Sequence, residues 1–284
     1  MFDKGRVTRS TFGAVTAVAL TALVSACGGS GSTTAAEGDA PAGLLRSGQL
    51  SVCIDPEYPP LEYLEGGDTS NPLGFDADSA RALGDLWGVD TTFVVTAFDG
   101  LMPALNAQRC DITWSGLYIS DERLAVADAA PYMNTGPSLI VRTGDTSISS
   151  SDDLSGKTVA VQGGGSNEAT LQTLSDEFVA AGRPGITIQA YPKTAETVAA
   201  VTNGKADALI ETDVAVVDMV DKSDGQLVEV SGVFPTETVF GVFTRKDAEL
   251  TPAVAEGVST LVENGTMNGI AEQYGLDPSR LVSG

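Results

Sequence analysis

The sequence contains no histidine. That absence removes histidine-based nucleophilic triads and every imidazole metal ligand. Cysteine is nearly as scarce, with only Cys27, Cys53 and Cys110 in the chain, and the contexts described below leave no thiolate zinc site, so neither a metal nor a cofactor is expected. Basic residues are few: 16 Lys and Arg stand against 38 Asp and Glu, a formal charge of −22. A chain this acidic repels nucleic acid and anionic membrane surfaces, which excludes both as partners of the folded part. Long apolar runs are also missing beyond one, from Phe12 to Val24, which is short of the roughly 18 residues that a membrane span requires.

What that run does fit is a secretory leader. Lys4, Arg6 and Arg9 precede it, and it ends in small residues at Val24-Ser25-Ala26-Cys27, the order of charged, apolar and small segments that export signals show. The placement of Cys27 resembles the lipobox of bacterial lipoproteins, so residues 1–27 are expected to be a leader whose Cys27 carries lipid. Residues 28–43, GGSGSTTAAEGDAPAG, have no apolar periodicity and read as a flexible tether. In an exported chain Cys53 and Cys110 are expected to pair, although the sequence alone leaves two buried free thiols as the alternative.

From Leu44 the 42% hydrophobic content begins to show a pattern. Apolar runs LSVCID, TTFVV and CDITWSG alternate with helical segments FDADSARALGDLWG and GLMPALNAQ, and a second series follows with KTVAVQGGG, NEATLQTLSDEFVAAG, ITIQAY, TAETVAAVTNG and ADALIE. Such alternation predicts βαβ units and mostly parallel sheets, here in two α/β lobes. The segment TVFGVFTR and two closing helices, AVAEGVSTLVENG and MNGIAEQYG, are expected to rejoin the first lobe. The expected parts are residues 44–138 and 234–284 for the first lobe and 139–233 for the second, with hinge crossings near Pro137 to Val141 and Val233 to Thr238.

Ligands of open α/β sheets sit beyond the carboxyl ends of the strands, which draws attention to four turns: DPEYPPLEY, AFDG, SGLYISDER and QGGGSNEAT. In SGLYISDER, Ser120 suits a helix cap and Asp121 and Glu122 suit a first turn, whereas Arg123 is a cation at the positive end of the helix dipole. A ligand carboxylate held by two parallel bonds from the guanidinium resolves that conflict; an ion pair with Asp128 is the plainer reading. The glycines of QGGGSNEAT, followed by Ser166 or Asn167 as cap, present free N–H groups suited to an anion. Tyr58 and Phe98 offer flat faces and Asp55 a carboxylate. The Gly-Lys-Thr of SDDLSGKT is not a phosphate loop, because Ser151 occupies the place of the first glycine and Lys157 leads into a strand.

The ordered set DxxYPPxEY, GFDxD, FDGLMPAL, CDITWSGLYISDER, DLSGKTVAVQGG, NGKADA, FGVFTRKDAEL and ENGT resembles the family 3 extracytoplasmic solute-binding proteins, the amino-acid receptors of ABC importers, from about Leu50 to the end. The resemblance implies a type II periplasmic-binding fold of two lobes joined by a doubly crossed hinge, closing on an amino acid or related small carboxylate that an ABC permease then receives. It implies a ligand site drawn from Asp55, Tyr58, Phe98, Ser115, Gly116, Tyr118, Arg123, Gly165, Ser166, Thr212 and Asp213. Arg123 would hold the α-carboxylate, helped by backbone at Gly116 and by Ser166. Two departures stand out. Tyr118 occupies a position where many members carry Thr or Ser, and the aspartate that grips the α-amine falls on Thr212, leaving Asp213 or Glu211 as substitutes. The resemblance also implies that Cys53 and Cys110 lie on neighbouring strands. Two other readings use the same scaffold: a cyclohexadienyl dehydratase-like enzyme, against which the apolar Ala215 to Val217 argue, and a ligand sensor.

Overall fold

The chain is described here by a computed structural model covering residues 40–234 and 238–284. The leader, Cys27 and residues 28–39 of the tether lie outside the described residues. Among those described, no helix is long and apolar enough to cross a membrane, and no group of His, Cys, Asp or Glu side chains could hold a metal ion.

The first stretch of chain runs β1 (Gln49–Ile54), a small hairpin of β2 (Glu57–Tyr58) and β3 (Glu62–Tyr63), α1 (Phe75–Trp87), β4 (Asp90–Val95), α2 (Leu101–Asn106), β5 (Ile112–Thr113), α3 (Asp121–Leu124) and β6 (Ala127–Thr135). The second runs β7 (Pro137–Arg142), β8 (Thr158–Gln162), α4 (Ser166–Ala180), β9 (Thr187–Tyr191), α5 (Thr194–Thr202), β10 (Ala208–Thr212), α6 (Asp213–Asp221) and β11 (Leu227–Val230). The chain then closes with β12 (Thr238–Arg245), α7 (Thr251–Glu263) and α8 (Thr266–Gln273).

Two five-stranded sheets result, ordered β4-β1-β5-β12-β6 and β11-β7-β10-β8-β9. In each, four strands run one way and one runs against them: β12 in the first sheet and β7 in the second. The sheets are thus mixed, and the reversed strand is in each case the one by which the chain enters after crossing between lobes. Only Gly136 separates β6 from β7. Residues 137–142 are therefore strand of the second sheet and not hinge, so the passage is tighter than the sequence pattern suggested.

Local chemistry explains the elements. α1 starts at Gly74, whose φ of 114° suits glycine, carries Asp76 and Asp78 in its first turn, and stops at Gly88 in the left-handed conformation. Its inward side buries Phe75, Ala80, Leu83 and Trp87 against Leu50, Val52, Ile112, Tyr132 and Phe240. Each large apolar side chain buried there contributes about 2 kcal/mol. The second lobe has its own core of Leu139, Val141, Val159, Leu171, Phe178 and Ile210. Val214 and Ala215 of α6 pack into the first core, so this helix bridges the lobes at the hinge. Cys53 of β1 and Cys110, which precedes the neighbouring β5, form a disulfide with their Cα atoms 5.6 Å apart.

Candidate functional site

A cavity of about 30 Å³ lies between the lobes, lined by Tyr58, Phe98, Gly116, Tyr118, Arg123, Val161, Gln162, Gly165, Ser166, Asn167, Glu211 and Thr212. Every one follows or ends a strand, as the topology requires. Of the residues singled out from the sequence, Tyr58, Phe98, Gly116, Tyr118, Arg123, Gly165, Ser166 and Thr212 are brought together there.

Arg123 sits in a one-turn helix capped by Ser120, whose Oγ accepts from Arg123 N at 3.4 Å. Its Nη1 donates to the carbonyl of Tyr118 at 2.8 Å and to Ser166 Oγ on the opposite lobe at 3.4 Å. No carboxylate forms an ion pair with it among the described residues. Asp128, the partner offered by the plainer reading, is engaged instead by Lys246 at 2.9 Å and by the backbone N–H of Asp247. Burial lowers the guanidinium to about 10, which still leaves it charged at neutral pH. Phe98 lies with its ring centroid 6.0 Å from the guanidinium carbon.

Across the cavity, Glu211 is 4% exposed and its carboxyl is pushed up to about 7 by burial. Its Oε1 accepts from Tyr58 OH at 2.6 Å and from Thr212 N at 2.9 Å; the Tyr58 hydroxyl also bonds Thr212 Oγ1. These bonds join the hairpin of the first lobe to β10 of the second, and Lys193 reinforces them by pairing with Glu57. The lobes are therefore closed on one another. Two polar atoms among the lining residues, Tyr118 OH and Asn167 Oδ1, are buried without a hydrogen-bond partner.

α4 begins at Ser166 with Gly165 as its cap, and no side chain caps it. Neither Ser166 nor Asn167 serves as the cap, because the helix has already begun at Ser166; both residues line the cavity instead.

Asp55, Ser115 and Asp213 do not line the cavity. Asp55 is 8% exposed beside Phe98, Glu57 and Lys193, and burial, with Glu57 adding to it, raises its carboxyl to about 7. Ser115 is turned inward, donating to Glu62 at 2.8 Å and accepting from Asp55 N at 2.9 Å. Asp213 faces the hinge, where it accepts from Thr135 Oγ1 at 2.7 Å, from Gly136 N at 3.3 Å and from Arg280 at 2.6 Å. Gly116 lines the cavity, yet its N–H donates to Asp76 Oδ2 at 2.7 Å and is unavailable to a ligand carboxylate. Its φ of +54° and the closeness of the Tyr58 ring, 3.1 Å from where a Cβ would stand, account for glycine there.

Val161, Gln162 and Asn167 join the cavity without having been singled out as ligand contacts. Asn167 was readable, since it follows Ser166 at the start of a helix whose end faces the cleft. Val161 and Gln162 carry no signal of their own; they end a strand of the second sheet.

Two lobes, a double crossing and a cavity at the strand ends define a hinged solute-binding protein. Residues 50–277 match the bacterial extracellular solute-binding proteins, family 3, and the chain belongs to that family. The L-cystine-binding protein TcyJ of Escherichia coli K12 is 28% identical over 237 residues, covering 82% of this chain and 85% of its own length. An ancestral arginine-binding protein solved with arginine bound superposes with a TM-score of 0.73 at 26% identity, over 80% of this chain and 98% of that one. The ancestral amino acid-binding protein AncCDT-1, a precursor of cyclohexadienyl dehydratase, superposes with a TM-score of 0.70 at 30% identity, over 80% and 95%.

Proposed function

We propose that the protein captures an amino acid or a related small carboxylate outside the cytoplasm and delivers it to an ABC permease, held at the membrane by lipid on Cys27. The observation that carries this reading is Arg123: a half-buried guanidinium with no acidic partner among the described residues, lining the cavity between the lobes and bonded to Ser166 of the other lobe. A ligand carboxylate supplies the missing anion and ties the lobes together, so that binding favours the closed form by its differential affinity. Glu211, on the facing wall, receives the ligand's cationic nitrogen, and the rings of Tyr58, Phe98 and Tyr118 flank what lies between. The cystine and arginine specificities of the relatives make zwitterions with a second polar end the first candidates. Docking on the permease then follows from closure, without chemistry on the ligand.

The test is a thermal-shift screen of the purified protein against L-arginine, L-lysine, L-glutamine, L-cystine and the cyclic amidine carboxylate ectoine. A ligand at about 100 times its Kd adds about 2.7 kcal/mol of stability, a shift of several degrees that Arg123→Ala should abolish. No shift with any carboxylate would overturn the reading.

One observation favours a second reading, an elimination on a prephenate-like acid. Glu211 combines a carboxyl near 7 with near-complete burial at the cavity wall, as suits a general acid. Incubation with prephenate and measurement of product absorbance separates the two: turnover supports the enzyme, and stabilisation without turnover supports the receptor.

A further inference from the structure

We propose that Glu62 and Asp76 share one proton, held between Glu62 Oε2 and Asp76 Oδ1, and that this pair is the positioning element for the 114–118 loop from which Arg123 is aimed. Glu62 is 1% exposed and Asp76 is fully buried. Glu62 lies on β3 and Asp76 in the first turn of α1, and the Asp76 N–H donates at 2.8 Å to the carbonyl of Leu61, the residue before Glu62.

Two of the four carboxyl oxygens are accounted for. Glu62 Oε1 accepts from Ser115 Oγ at 2.8 Å, and Asp76 Oδ2 accepts from Gly116 N at 2.7 Å and from Tyr132 OH at 2.9 Å. Left over are Glu62 Oε2 and Asp76 Oδ1, both buried and without a donor. Two ionised carboxylates cannot bond each other, and a buried polar atom left unpaired costs about 1–3 kcal/mol. A single proton removes both deficits: Glu62 becomes the donor, and Asp76 remains the ionised acceptor of the Gly116, Tyr132 and Glu62 hydrogens. Like-charged carboxyls sharing a sealed site behave in this way generally.

The charged and titratable groups facing the pair agree with this assignment. Asp55, just after β1, adds negative charge, Tyr132 from β6 donates a phenol, and the indole N–H of Trp114, which has no hydrogen-bond partner of its own, faces Asp76 from the loop. Among the described residues neither Glu62 nor Asp76 forms an ion pair with Lys or Arg. Burial, with the Asp76 charge adding to it, drives the Glu62 carboxyl well above the usual range. Asp76 rises only to about 7, because burial is opposed by the hydrogens of Gly116, Tyr132, Glu62 and the Trp114 indole.

The consequence for the site runs through the backbone. Asp76 fixes Gly116, Glu62 fixes Ser115, and the same short loop ends in the Tyr118 carbonyl that holds Arg123 at 2.8 Å. The shared proton stands independently of any ligand; its bearing on binding rests on the reading of Arg123 given above.

Glu62→Gln and Glu62→Leu test it without a ligand. Glutamine keeps an acceptor for Ser115 and a donor for Asp76 but cannot titrate, whereas leucine keeps neither. In the wild type, Glu62 ionises on unfolding above its ordinary pKa of 4.5 while the folded pair keeps its proton. The folding equilibrium of the wild type relative to Glu62→Gln should therefore fall with rising pH, by up to about tenfold per pH unit. Urea midpoints from pH 5 to 8 read this directly. Hydrogen exchange of the Gly116 amide at fixed pH should be as slow in Glu62→Gln as in the wild type and at least about tenfold faster in Glu62→Leu. A stability difference that does not change with pH would show that no proton is shared. Unaltered Gly116 protection in Glu62→Leu would show that the pair does not hold the loop.

Discussion

Arg280 Nη1 lies 2.6 Å from Asp213 Oδ2, joining the last turn of the chain to the first residue of α6. The same aspartate accepts from Thr135 and Gly136, so its carboxylate gathers the C-terminus, the β6–β7 passage and the helix that bridges the lobes. It is a hinge residue. Asp213→Asn should lower stability by about 1 kcal/mol and change ligand affinity less than about threefold, whereas Glu211→Gln should weaken binding more than tenfold. Calorimetric titration of both variants separates the two candidates for the ligand's nitrogen.

Truncating Arg123 removes the cation that the ligand carboxylate needs and leaves the bound anion unpaired. Arg123→Ala should cost about 2–5 kcal/mol of binding. Arg123→Lys should recover only part of this, because an ammonium lacks the two-pronged geometry. Isothermal titration at pH 7.5 provides the comparison.

Glu211 must be ionised to receive a cation, and burial holds its carboxyl near 7. Below that pH the affinity for a cationic ligand should fall by up to about tenfold per unit, and Glu211→Gln should flatten the profile. Without ligand the sign for stability is opposite. A folded-state pKa raised from 4.5 to about 7 favours the native state below the unfolded value, and that advantage is lost as pH rises through 7, by about 3 kcal/mol for a fully buried group. Midpoints of chemical unfolding at pH 4.5, 6 and 7.5 should decline in that order as far as this group is concerned.

The disulfide between Cys53 and Cys110 closes a loop with a sequence separation of 57. Replacing both by Ser should cost about 4 kcal/mol of stability on the chain-entropy account. Because neither cysteine lines the cavity, ligand affinity of the variant that remains folded should stay within a few-fold of the wild type. Differential scanning calorimetry with titration of the same sample measures both.

Much of this protein is local and therefore legible. The segments LSVCID, KTVAVQGGG and ADALIE become β1, β8 and β10, and the helices over Phe75–Trp87, Ser166–Ala180 and Thr251–Glu263 follow their apolar spacing. Arg123 is readable because a cation in a first helical turn is a local contradiction. The long strand β6 and the start of β7 escaped, since ADAAPYMNT and PSLIVR carry a proline each and owe their strand state to pairing with β12 and β10. Helix α6 escaped as well, because its apolar face is half of an interface with the other lobe.

The amino-acid sequence by itself determined the alternation that makes two α/β lobes, the glycine-rich turn at the second-lobe helix, and the cation that awaits an anion, because each rests on neighbours within a few residues. Which carboxylates face the ligand was decided only by tertiary structure. Glu211, Thr212 and Asp213 are consecutive, yet the first two face the cavity and the third the hinge, since β10 ends at Thr212 and a helix begins at Asp213. Gly116 likewise lies in a ligand-binding motif, but its N–H is committed to Asp76, 40 residues earlier in the chain, a partner that only the folding of α1 onto the first sheet could bring to it.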